Sequence, residues 1–193
     1  MRRHLKIVIL FLVVMTIITG LIYPLVITGI AQIAFHRQAN GSLITENGVT
    51  AGSELIGQPF SDPRYFWGRL SATAAFPYDA SLSSGSNYGP ANPALLKAVQ
   101  TRLDALKAVD PGNNLPVPVD LVTFSGSGLD PDISVAAARY QSARVARYRA
   151  LSQGAINALI DQSTEGRQFG IFGEPRVNVL KLNLALDKIQ LRQ

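Results

Sequence analysis

The chain has 193 residues, is 47% hydrophobic and carries a net charge of +5 at pH 7 without a single cysteine. Disulfide frameworks, thiolate metal sites and cysteine nucleophiles are thereby excluded. Arg2, Arg3 and Lys6 precede the first apolar run, which leaves 15 basic against 13 acidic residues in the remainder. That near balance removes the electrostatic basis for nucleic-acid binding.

Ile7 to Phe35, IVILFLVVMTIITGLIYPLVITGIAQIAF, contains 29 consecutive uncharged residues. As a helix it would span about 44 Å, more than the ~30 Å hydrocarbon core of a bilayer. A cleaved signal peptide has a shorter apolar region, roughly 7–15 residues, closed by a small-x-small site. The run therefore reads as an uncleaved anchor. Pro24 either kinks this helix or marks its exit from the hydrocarbon, and Tyr23 suits an interface. The basic residues before the run place the N-terminus inside. The expected organisation is a cytoplasmic tail (1–6), a transmembrane helix (7–35) and an extracytoplasmic domain (37–193). The fold class is thus a single N-terminal transmembrane helix followed by a mixed α/β extracytoplasmic domain.

Within that domain LIGQPF, Leu55 to Phe60, reads as a short strand or extended segment. Residues 61–93 follow as a long irregular stretch rich in Gly, Pro, Ser and aromatics, a pattern that marks functional or partner-bound surface. Tyr65, Phe66 and Trp67 are consecutive and cannot all face one core, so at least one is expected to meet a partner or the membrane interface. Asn92 and Pro93 cap a helix striped by Leu95, Val99, Leu103 and Leu106, which Asp110-Pro111-Gly112-Asn113 ends. PVPVDLVTF alternates Val117, Val119 and Leu121, which predicts a strand. Helices are predicted from about Val135 to Leu151 and from Ala155 to Asp161. The tail EPRVNVLKLNLALDKIQ starts as a strand at Val177 and Val179 and turns helical through Leu182, Leu186 and Ile189.

The stretch SGSGLDPDIS, Ser125 to Ser134, invites a catalytic reading. A P-loop needs Gly-Lys-Ser/Thr after its glycines, whereas here Asp130 and Asp132 follow and would repel phosphate. A third glycine to complete a dinucleotide fingerprint is missing, and Ser125-Gly126-Ser127-Gly128 is not a nucleophile elbow. The only histidines, His4 and His36, flank the apolar run, so neither serves as a catalytic base in the domain. No metal-ligand spacing appears either. Asp130, Asp132 and Ser134 read as helix-start residues, with Gly126 and Gly128 permitting a sharp turn. Arg139, Arg144, Arg147 and Arg149 scatter around the next helix, which predicts a solvated or partner-facing surface, while Ala143, Ala146 and Ala150 line one face for close packing. No catalytic and no metal-binding residue is assigned.

Six ordered stretches are nevertheless distinctive: LIGQPF, YFWGRLSA, GSNYGPANPAL, SGSGLDPDIS, YQSARVARYR and GEPRVNVLKLNLALD. Together with YPL in the apolar run, they resemble the successive motifs of the KdpC family, the C subunits of bacterial high-affinity potassium-transporting P-type ATPases. Leu70 and Asp132 stand where that family commonly has proline and histidine. The resemblance implies a non-catalytic subunit of a potassium import complex in the bacterial inner membrane. Its partners would be a channel-like subunit (KdpA), an ATP-hydrolysing P-type subunit (KdpB) and a small single-span subunit (KdpF). It implies assembly and a catalytic-chaperone role that raises the ATP affinity of the hydrolysing subunit. Potassium would be the transported ion, and ATP would be used by the partner rather than bound by this chain alone. The family's nucleotide-contact glutamine corresponds to Gln141. The resemblance also points to Tyr65, Phe66, Trp67, Arg69, Ser86, Asn87, Ser125, Gly126, Ser127, Gly128, Asp130, Arg144, Arg176 and Asn178 as structural or partner-interface positions. An outward domain makes any effect on ATP affinity indirect. A direct ATP-binding regulator with a cytoplasmic domain remains the alternative, followed by an anchored hydrolase. The aspartyl-phosphate motif D-K-T-G-T of P-type pumps is absent from the sequence.

Overall fold

A computed structural model describes residues 2–190. The chain divides after Leu43 into two units. The first is built on the apolar run: helix α1 (Arg2–Ile17), a π-helical turn (Ile18–Ile22), α2 (Tyr23–Ala34) and the short α3 (His36–Ala39). Arg2–Ala34 is continuous, and it is the one described helix long and apolar enough to cross a membrane. The π turn explains how Pro24 is tolerated. The Tyr23 N–H reaches back five residues to the Ile18 carbonyl, and Pro24 then falls in the first turn of α2, where no donor is needed.

At the start of the second unit stands a hairpin of β1 (Leu43–Glu46), whose first residue is the last of the first unit, and β2 (Val49–Ser53). Asn47 and Gly48 connect them at φ 51° and 79°, the left-handed pair that a two-residue hairpin turn requires. After a long irregular segment comes α4 (Pro93–Val109), capped by the Asn92 side chain, which accepts from the Ala94 N–H at 2.9 Å. The predicted stripe faces inward, with Leu106 2% exposed.

The predicted strand at 117–121 is instead a single helical turn, α5 (Val119–Val122). Pro116 and Pro118 deny donors to a ladder, and burial is consecutive rather than alternating: Leu121 and Val122 are inside while Val119 is exposed. LIGQPF begins in a turn at Leu55 and a bend at Ile56 and joins no sheet, so the expected strand is not formed.

Strands β3 (Asp132–Ser134), β4 (Thr164–Glu165) and β5 (Arg176–Asn178) form a small antiparallel sheet in the order β3-β5-β4, with Val177 opposite both Ile133 and Thr164. Helix α6 (Val135–Arg149) starts on Ser134, whose Oγ accepts from the Ala137 N–H at 3.0 Å. Asp130 and Asp132 therefore do not start this helix: Asp132 is the first residue of β3 and Asp130 lies before that strand. Helix α7 (Gln153–Gln162) is capped by Ser152 and packs on α6. Helix α8 (Val179–Gln190) follows β5 without a break, so the strand-to-helix switch falls between Asn178 and Val179. There the Asn178 Oδ1 accepts from the Lys181 N–H at 3.0 Å. The core joins Leu121, Ile133, Val145, Ile156, Ile160 and Leu182 from α5, β3, α6, α7 and α8.

Candidate functional site

The centre of the domain is the irregular segment 62–70, which runs through the interior without a strand partner along most of its length. A buried backbone cannot leave its carbonyls unpaired, since each orphan costs about 1–3 kcal/mol. Here side chains take the place of a neighbouring strand. The Phe66 N–H donates to the Asn183 Oδ1 at 2.9 Å, and the Asn183 Nδ2 donates back to the Phe66 carbonyl at 3.0 Å. Gln141 clamps the next peptide in the same way: the Trp67 N–H donates to its Oε1 at 2.9 Å, and its Nε2 donates to the Trp67 carbonyl at 3.1 Å. Arg144 donates to the Pro63 carbonyl, Arg149 to that of Arg64, Arg102 to that of Gly68, and the Tyr78 hydroxyl to that of Arg69. The Ser125 N–H completes the series at the Leu70 carbonyl, where Leu70 and Phe124 form a parallel bridge.

All three consecutive aromatics find partners within the chain, and of the three Tyr65 alone stays half-buried. Phe66 and Trp67 are buried. Tyr65 lies under the Arg149 guanidinium at 4.5 Å and donates its hydroxyl to Asp187 at 3.1 Å. Trp67 is flanked by two guanidiniums, those of Arg102 and Arg144, each 4.9 Å from its ring. Arg144 is 1% exposed, and among the described residues no carboxylate pairs with it. It is held by the Pro63 carbonyl and by the Gln141 Oε1 at 2.6 Å. Burial pushes its pKa down to about 10, and pushes the Tyr78 phenol up to about 12. The solvated surface expected of the α6 arginines is thus restricted to Arg139 and Arg147, because Arg144 and Arg149 turn inward as backbone donors. Of the alanines expected on one packed face, Ala146 is buried, while Ala143 and Ala150 are exposed.

Gln141 is 1% exposed and its amide is fully occupied: Oε1 accepts from Trp67 and Arg144, and Nε2 donates to Trp67 and Ala137. This geometry makes it an internal brace. Asn178 is also buried and donates to the Glu54 carbonyl at 2.8 Å.

The glycine–serine loop lies at the edge of this framework. Ser125 is buried, and its Oγ has no protein partner among the described residues. Gly126 and Ser127 are exposed, and the Ser127 carbonyl accepts from the Ser84 N–H at 3.0 Å and from the Ser83 Oγ at 3.1 Å. Gly128 sits at φ 70°, where a Cβ would come within 2.6 Å of the Ser84 carbonyl oxygen, so glycine is required there. Ser86 is half-buried and Asn87 exposed on the same neighbouring strip.

A cleft of about 580 Å³ opens beside β3, lined by Asp120, Asp130, Asp132, Glu174, Arg69 and Arg176. Its acids are all engaged. Asp130 pairs with Arg69 at 2.9 Å, Asp132 with Arg176 at 2.9 Å, and Glu174 with Arg167 at 2.7 Å, while Asp120 accepts from Ser134. Burial, and then the charge of Asp130, raise the Asp132 pKa despite its arginine partner. No cluster of His, Asp and Glu among the described residues is suited to a metal ion.

The sequence singles out Gln141, Arg144 and the aromatic triplet for other roles than the internal bracing seen here, and it does not single out Asn183, Arg102 and Tyr78. Their signal was weak: an asparagine at an inward position of α8, and an arginine on the inward stripe of α4.

The described residues thus comprise an apolar helix and a small mixed α/β domain whose buried polar groups hold its own backbone. The chain matches, over residues 5–188, the family model described as K+-transporting ATPase, c chain. It is 63% identical over 190 residues to the potassium-transporting ATPase KdpC subunit of Methylococcus capsulatus, covering 98% of this chain and 100% of the relative. The KdpC subunits of Dechloromonas aromatica and Herpetosiphon aurantiacus are 58% and 57% identical, covering 98% of this chain and 99% and 98% of their own lengths. The chain belongs to the KdpC family, as a subunit of a potassium-transporting ATPase complex.

Proposed function

We propose that the chain is a non-hydrolysing accessory subunit of an ATP-driven potassium import complex. In this reading Arg2–Ala34 crosses the bacterial inner membrane with its basic end in the cytoplasm, and the folded domain stands outside. The partners are the channel-like KdpA, the hydrolysing KdpB and the small KdpF. The chain supports assembly and raises the ATP affinity of the hydrolysing subunit while binding neither ATP nor metal itself. Such an effect, exerted across a membrane, is a coupling free energy carried by packing between subunits.

The observation that carries this reading is the state of Gln141. A glutamine that is buried, with both amide atoms engaged by Trp67, Ala137 and Arg144, stiffens the domain and has no group to offer a nucleotide. The domain then acts as a rigid body whose contacts, not whose chemistry, affect the pump.

The absence of cysteine from the sequence makes the topology simple to test. A single Ser84→Cys, at an exposed position, is expected to react with a membrane-impermeant maleimide in intact cells. Labelling only after permeabilisation would place the domain in the cytoplasm and favour direct nucleotide contact instead.

A further inference from the structure

Between β4 and β5 the chain makes a narrow loop whose tip, Phe169-Gly170-Ile171-Phe172, is the most exposed apolar feature of the domain. Phe169 is 92% exposed, Ile171 71% and Phe172 64%. Three large apolar side chains among four residues in water is not the scattered exposure that any surface shows.

The tip is built to hold them there. The Gln168 N–H donates to the Phe172 carbonyl at 2.8 Å, and the Phe172 N–H donates back to the Gln168 carbonyl at 2.9 Å. Phe169, Gly170 and Gly173 adopt φ of 53°, 74° and 77°, a left-handed conformation that a bulky phenylalanine rarely takes. Arg167 and Glu174 close the base at 2.7 Å. Below them Arg176 pairs with Glu165 at 3.0 Å and with Asp132 at 2.9 Å, fixing the loop to the sheet whose Val177 is buried in the core.

We infer that this tip is a docking knob that inserts into an uncharged, apolar recess on another subunit of the ATPase complex. The inference rests on the reading of the chain as a working subunit of that complex. Two other occupants fit less well. A second copy of this chain, tip to tip, would bury roughly 300–500 Å² per side, short of the ~800 Å² that a stable interface buries on each partner. A lipid surface is disfavoured by charge. Gln168 to Gly173 carries none, and the adjacent cation Arg167 is paired with Glu174, so the loop sequence itself offers no unpaired basic residue to anionic headgroups. Insertion into lipid also gains nothing from a rigid backbone, whereas a knob entering a shaped recess loses less entropy when it is preorganised. The small contact area suffices in a complex, because a chain already retained by other contacts makes this one at high effective concentration.

The test uses the complete complex with p-benzoylphenylalanine in place of Phe169, irradiated after purification, with adducts identified by mass spectrometry. An adduct to another subunit of the ATPase is the expected result. Adducts only to lipid, or only to a second copy of this chain, would overturn the inference, as would the absence of any adduct. A parallel F169S/I171S/F172S variant is expected to lower the amount of this chain retained in the detergent-purified complex about tenfold, as loss of a small interface anchor does. Ile171→Leu is expected to leave retention unchanged. Wild-type retention of the triple variant would count against the knob. If the wild-type chain itself did not co-purify, the subunit reading would fall and this inference with it.

Discussion

Two aromatic stretches in this domain have nearly the same chemistry and opposite fates. Tyr65-Phe66-Trp67 runs through the interior, and Phe169-Gly170-Ile171-Phe172 stands in solvent. Neither belongs to a regular element, and neither has an alternating pattern to say which way it faces. The difference lies in what the surrounding helices supply. Around the first, α6 and α8 present Gln141, Arg144, Arg149 and Asn183, whose donors satisfy the backbone that burial strips of water. Around the second the described residues supply no such donors, and the backbone closes on itself in a tight turn with the side chains left outside. Apolar composition alone does not bury a segment; its peptide groups must also find partners.

This contrast can be broken most forcibly at Phe66. Phe66→Ala removes a fully buried ring and is expected to destabilise the full-length chain in detergent by about 3–5 kcal/mol, read from its thermal or urea unfolding. Gln141→Ala tests the backbone argument directly. It leaves a buried N–H and a buried carbonyl of Trp67 unpaired, an expected loss of about 2–4 kcal/mol. Trp67 is the only tryptophan in the chain, so its emission should shift to the red in the same variant. An unshifted spectrum with unchanged stability would show that the side-chain clamp is dispensable.

Tyr78 sharpens the contrast through pH. Its phenol, raised to about 12 by burial, contributes stability that is present below pH 10 and lost as pH rises towards 12, because the folded site excludes the phenolate. Arg144 acts in the opposite sense over the same alkaline range, since its folded pKa is lowered, but it is present both in the wild-type chain and in a Tyr78→Phe variant. Tyr78→Phe is therefore expected to cost about 1 kcal/mol at neutral pH, through the lost bond to the Arg69 carbonyl, and to flatten the alkaline fall measured by pH-dependent unfolding. The smallest effect belongs to the exposed stretch. F169S/I171S/F172S is expected to change the stability of the isolated chain by no more than about 0.5 kcal/mol and to leave Trp67 emission unmoved.

Much of the helical architecture was legible because helix signals are local. Asn92-Pro93, Ser134 and the stripe on α4 act within a few residues of one another, and each marks an element the structure contains. The strand expected at Val117 to Leu121 failed for an equally local reason: two prolines outweigh an alternating pattern. The aromatic segment could not be read in the same way. Its clamps come from 74 and 117 residues away, and an amide at an inward helix position has no periodic signature. The acids of SGSGLDPDIS do not act as helix-start residues because Asp132 opens a short strand and Asp130 precedes it, and their arginine partners, Arg69 and Arg176, are distant in sequence.

The wide turn at Ile18–Ile22 carries a consequence for the first unit. One surplus residue within a helical turn advances everything beyond it by about 100° around the axis. A ridge of side chains running along α1 therefore does not continue along α2, and the apolar rod presents two contact faces set roughly a quarter-turn apart. Neighbours approaching from different directions can each meet a regular ridge. Removing one residue from the turn would bring the two faces into line and drive the Pro24 ring onto the carbonyl one turn before it, so the offset and the proline are a single device.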